Sequence, residues 1–69
     1  MAENLIEAIK SRCNELREEY IPAYQSEGVV GTFAIEMMRR SVANAEKAIA
    51  EMDTTAMIAA LQDLREFKL

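Results

Sequence analysis

The chain has 69 residues, twelve acidic and eight basic side chains for a formal charge of −4, one cysteine and no histidine. A lone Cys13 excludes an internal disulfide, and without histidine a structural zinc site lacks its usual ligands. The acidic balance disfavours nucleic-acid phosphates and anionic membrane surfaces, and no stretch approaches the ~18 apolar residues of a membrane span.

The first predicted helix covers about residues 3–21. Ile6, Ile9, Cys13, Leu16 and Tyr20 recur at spacings of three and four, which keeps them on one face, and Leu5 widens the stripe. Between them Glu7, Lys10, Arg12, Asn14, Glu15, Arg17, Glu18 and Glu19 form a solvated face. Pro22 removes a backbone donor and disfavours helical geometry at Ile21, so a boundary or a kink is expected there. The only proline and both glycines fall between Pro22 and Gly31, which marks this stretch as the break in the chain.

Thr32 can cap a second helix over about 32–52, whose stripe is Met38, Val42, Ala45, Ile49 and Met52, broadened by Phe33, Ile35, Met37 and Ala48. Asp53, Thr54 and Thr55 favour a turn. A third helix over about 54–67 then carries Met57, Ile58, Leu61 and Leu64 on one face, with Ala60 beside them. A connection this tight makes the last two helices an antiparallel hairpin, and alanines such as Ala45, Ala48, Ala56 and Ala60 let their axes approach. The expected fold is all-α: one domain over 1–69, a small three-helix bundle whose first helix packs in its own chain or is exchanged with a neighbour. A core this small supplies little net stability, and oligomerisation is the remaining reinforcement, so a homo-oligomer is expected. The acidic N-terminus lacks the basic and apolar regions of a signal peptide, so a cytoplasmic location is expected.

The chemistry-bearing residues are few. General acid–base and nucleophilic catalysis need a positioned base, most often histidine, and Cys13 lies on the apolar stripe as a core residue. A non-enzymatic protein with no cofactor or metal is the expectation. Val29 and Val30 have no obvious internal partner in the connector and, unless they fold back under Tyr20 or Phe33, are candidate contacts for a protein partner, together with Phe33, Arg39, Arg40 and Tyr24. The alternative is a small-ligand site for a nucleotide or cyclic dinucleotide. Gly28, Gly31 and Thr32 would bring amides to an anion at a helix N-terminus, Arg40 would add charge, and Tyr20 would offer a stacking face. Two glycines three apart do not make a phosphate-binding motif, and an ordinary helix–helix linker is the better account of them.

The segments Tyr24–Phe33, Ala34–Met38, Ala45–Ala48 and Met52–Met57 together resemble small prophage-encoded helical proteins of unassigned role, over roughly Arg17 to Phe67. The resemblance implies a phage accessory context and a role as modulator or inhibitor of a host protein. A second likeness is to the helical hairpin of phage cyclic-nucleotide sponges, which is usually richer in aromatic residues than this chain. Neither resemblance assigns a function to individual residues.

Overall fold

A computed structural model describes residues 2–68, and the side chains from Asn4 to Lys68. Four α-helical segments and one π turn follow one another: α1 (Ala2–Glu15), the π turn (Leu16–Tyr20), α2 (Ile21–Tyr24), α3 (Gly28–Ala50) and α4 (Thr54–Arg65). The first three are continuous, so the described chain forms three helical rods with no strand among the described residues. The last two form the expected hairpin, α3 against α4. α4 also packs on α1, and α2 packs on α3.

The first rod runs through Pro22 and on to Tyr24, three residues past the expected end at 21. In an α-helix the proline ring would meet the carbonyl four residues back and leave it without a donor. Here the preceding turn is widened, with the Ile21 amide donating to the Leu16 carbonyl five residues back. A single π turn of this kind lets a helix absorb one extra residue. The same shift explains why both Leu16 and Ile21 are buried, five apart instead of three or four.

The break is shorter than Pro22–Gly31. It comprises Gln25–Glu27, and α3 begins at Gly28, not at residue 32. Gly28 adopts φ +67, which reverses the chain at low cost only because it has no side chain. Thr32 is therefore inside α3 and does not cap it. Its hydroxyl donates to the Gly28 carbonyl at 3.0 Å. Gly31 sits at a close approach of α2 to α3, since a Cβ there would lie 1.9 Å from the Tyr24 carbonyl oxygen.

α3 ends at Ala50, two residues before the expected boundary. Met52 amide donates to Ile49 carbonyl (3.0 Å) and Asp53 amide to Ala48 carbonyl (3.1 Å), the paired bonds of a Schellman ending. Met52 occupies the left-handed position of that motif at φ 54 and is 64% exposed, so it is not part of the buried stripe. Asp53 then caps α4, its carboxylate accepting from the Ala56 amide at 3.1 Å. α4 stops at Arg65, short of residue 67. Because a Cβ is unfavourable in the left-handed region, Met52→Gly should stabilise the fold by about 0.5–1 kcal/mol. A thermal melt followed by circular dichroism should rise by a few degrees; an unchanged or lower midpoint would remove the strain argument.

The core is built from Ile9, Cys13, Leu16 and Ile21 of the first rod, Met38, Val42, Ala45 and Ala48 of α3, and Met57, Ala60, Leu61 and Leu64 of α4. Ala45, Ala48 and Ala60 are the small buried residues of the hairpin. Ile58, placed on the inner face by the sequence pattern, turns away and is about half exposed. Phe33 and Met37 are also outside the core.

Arg12 is the largest departure from the expected solvated face. Its Nε donates to the Leu64 carbonyl at 3.0 Å, one terminal nitrogen donates to the Phe67 carbonyl at 2.7 Å, and the other donates to the Tyr20 hydroxyl at 3.0 Å and pairs with Glu15. The guanidinium also lies over the Tyr20 ring, 4.7 Å from its centroid. A cation placed on carbonyls at the end of α4 complements that helix's dipole. Burial lowers the affinity of Arg12 for its proton, and the hydrogen bonds to Tyr20 and Glu15 more than offset it, so the net shift is upward. Tyr24 adds a second tie, its hydroxyl donating to the Lys68 carbonyl at 2.6 Å.

Candidate functional site: an uncovered apolar strip on the third helix

α3 has 23 residues and α4 has twelve, so at 1.5 Å per residue α4 is about half as long as its hairpin partner. The molecule is 38 Å long and only 16 by 15 Å across. Over its second half α3 is covered by α4. Over its first half, one face has no helix against it.

That face is apolar. Val29 is 87% exposed, Val30 75%, Phe33 69% and Met37 48%. Val30, Phe33 and Met37 stand three and four residues apart, so they share one helical face, with Val29 at its edge. Met37 marks where α4 gives out, since it lines a groove with Ser41, with Asp63 of the last turn of α4 and with Glu66 and Phe67 just beyond it. The strip thus runs from the start of α3 to a floor of Met37 and Phe67 rimmed by two carboxylates.

Val29, Val30 and Phe33 fall together in this strip, although they stand on a helix and not on a loop. The other sequence candidates lie elsewhere. Arg40 is exposed beside the strip and makes a long contact to Glu36, 3.4 Å between Nε and the carboxylate. Arg39 lines a separate groove with Arg17, Ile21, Val42 and Glu46. Tyr24 is engaged with Lys68.

The residues of the ligand-binding alternative are not gathered into a pocket. Tyr20 presents its ring to Arg12. Gly31 is buried against Tyr24, and Thr32 bonds its own helix. Arg40 is twelve residues along α3 from Gly28, about 18 Å away. No flexible glycine loop is present at Gly28–Thr32, because those residues are the first turn of a helix.

A second concave surface lies between α1 and α3, where Ile9, Lys10, Cys13, Asn14, Arg17, Glu46 and Ile49 enclose about 310 Å³. Its rim is bridged by Arg17 and Glu46 at 2.9 Å. Cys13 at its base is buried, and that burial pushes the thiol's pKa up, with Glu46 adding to the effect and Arg17 opposing it. A neutral buried thiol is a poor nucleophile, so this groove offers no activated cysteine. Among the described residues, no three acidic or cysteine side chains are grouped to hold a metal ion. Among those same residues, no helix is long and apolar enough to cross a membrane.

Asp63 and Glu66 are site residues that the sequence pattern did not single out, and it assigned Met37 to the buried face of α3. A signal for Met37 was present: Val29, Phe33 and Met37 repeat every four residues on the side of α3 opposite Val42, so the helix is apolar on two faces. No protein-family model matches the chain, and no similar curated protein or solved structure was found.

Proposed function

We propose that this protein is a non-enzymatic interaction module that engages another polypeptide through the strip Val29–Val30–Phe33–Met37. The observation carrying this reading is that four apolar side chains stand exposed on one face of a single helix. Monomeric proteins seldom leave contiguous apolar surface of this kind in water, and such patches mark contact sites. Phe33 at its centre is the type of rigid aromatic anchor that dominates contact energetics, with Arg40 and Glu36 supplying a polar rim. A modulator of a host protein, the role that the likeness to prophage proteins implies, would require such a face. The ligand-binding alternative draws no support from the geometry, since its residues are dispersed along the molecule.

The reading is tested by replacing Val29→Asp and Val30→Asp together. Acidic residues in the first turn of α3 favour the helix dipole, and that turn has none, so the variant should melt at or above the wild-type temperature. Tagged chain expressed beside an untagged copy in bacteria should retain a polypeptide on the resin, and the double variant should lose it. Retention by neither protein, or equally by both, would sink the proposal.

A further inference from the structure

The strip matches its own copy, and we infer that its occupant is a second molecule of this chain, lying antiparallel along α3. This rests on the reading of the strip as a protein-contact face and names its partner. If two α3 helices meet antiparallel with Phe33 opposite Phe33, residue 37 of one copy lies beside residue 29 of the other. Each Met37 then packs against Val29 and Val30 of its partner, and every exposed apolar residue of the strip gains an apolar neighbour.

The charges agree with that register. The first turn of α3 has no acidic residue, and Glu27 at its cap position makes no side-chain bond to the free amides. A helix start of this kind carries unsatisfied N–H groups and a partial positive charge. Asp63 and Glu66 line the groove beside Met37. In the antiparallel pair Met37 adjoins the start of the partner's α3, so these carboxylates meet an uncapped helix N-terminus, and the two-fold axis repeats the match. A parallel pair would set like ends together and leave both matches unmade. The short α4 completes the fit, because the partner's α3 occupies the line along which α4 would otherwise continue. Contacts of this type are isologous and close at two copies. Four side chains make a small contact, and small interfaces belong to transient complexes, so a reversible dimer is expected.

Sedimentation velocity of the full chain, from low micromolar to near-millimolar concentration, should show a shift from monomer to dimer. Phe33→Glu should remain monomeric throughout and melt like dilute, monomeric wild type, because Phe33 is exposed in the monomer. Register is read by mixing Val30→Cys and Met37→Cys chains under mild oxidation, with Cys13 buried and left in place. The mixed disulfide should exceed its statistical share and depend on Asp63 and Glu66, falling in their Asp63→Lys/Glu66→Lys variant. A wild type that stays monomeric at every concentration, a dimer that survives Phe33→Glu, or predominance of the two homodisulfides would overturn the inference. The two readings fail separately. If the wild type is monomeric but Val29→Asp/Val30→Asp still releases a different captured protein, the contact face stands and the second copy is wrong. If nothing is captured and no dimer forms, both fall.

Discussion

Gly31→Ala should destabilise the fold by about 3 kcal/mol or more, at the upper end of what overpacking costs. The added methyl would stand 1.9 Å from the Tyr24 carbonyl oxygen and 3.1 Å from its carbonyl carbon, and both are backbone atoms. No rotamer change relieves such a clash, so α2 must move off α3. That movement breaks the turn at Gln25–Glu27, where the Glu27 amide donates to the same Tyr24 carbonyl at 3.0 Å. Chains of this length hold about 3–10 kcal/mol in total, and each kcal/mol moves the melting temperature by about 4–8 °C. The variant should therefore melt more than ten degrees below wild type, or not fold at all. Gly28→Ala is the control. No atom lies within 4 Å of the added methyl there, and the cost is the left-handed φ alone, about 1–2 kcal/mol. If the two variants melt together, the close approach of α2 and α3 is wrong.

Arg12→Ala should cost about 2–3 kcal/mol, the second large effect. The guanidinium donates to carbonyls of Leu64 and Phe67, to the Tyr20 hydroxyl and to Glu15, and a hydrogen bond with a charged partner contributes about 1.5–3 kcal/mol. Water can reach part of this network after truncation, which keeps the loss below the sum of its bonds. Arg12→Lys should recover less than half of the deficit. An ammonium cannot span two carbonyls and a ring face with the geometry of a planar fork. Urea titration of the three proteins measures both values. Equal midpoints for wild type and Arg12→Ala would show that the network contributes nothing.

The hairpin and most of the buried stripe were legible because their periodicity is long and unbroken. Ile9, Cys13, Leu16, Met38, Val42 and Ala45 repeat at helical spacing, and all of them are buried. The helix boundaries near Pro22 and Gly28 were not legible, for separable reasons. A π turn leaves no compositional mark, so nothing in the sequence announces that Pro22 can be accommodated within a helix. Two glycines close together read as a loop, yet Gly28 serves one left-handed residue and Gly31 serves one close contact. Arg12 looked solvated because helical periodicity ranks side chains by their own helix. Its partners are carbonyls 52 and 55 residues away, which no local pattern can encode. The strip was half legible: the valines and Phe33 stood out, but its extent depends on where α4 ends.

The ties from Arg12 and Tyr24 to the last residues of the chain have a topological consequence. They join residue 12 to residues 64 and 67, and residue 24 to residue 68, closing loops that span most of the sequence. Bringing such distant points together is the entropically costly part of closing a chain, and the cost grows only as the logarithm of the loop length. A disulfide would meet it covalently, but Cys13 has no partner to form one. One guanidinium and one phenol, both gripping main-chain carbonyls, act as a reversible staple that depends on no side chain at the far end. The grip itself therefore makes no demand on the side chains at 64, 67 and 68, although Leu64 is held by its place in the core and Phe67 packs against it.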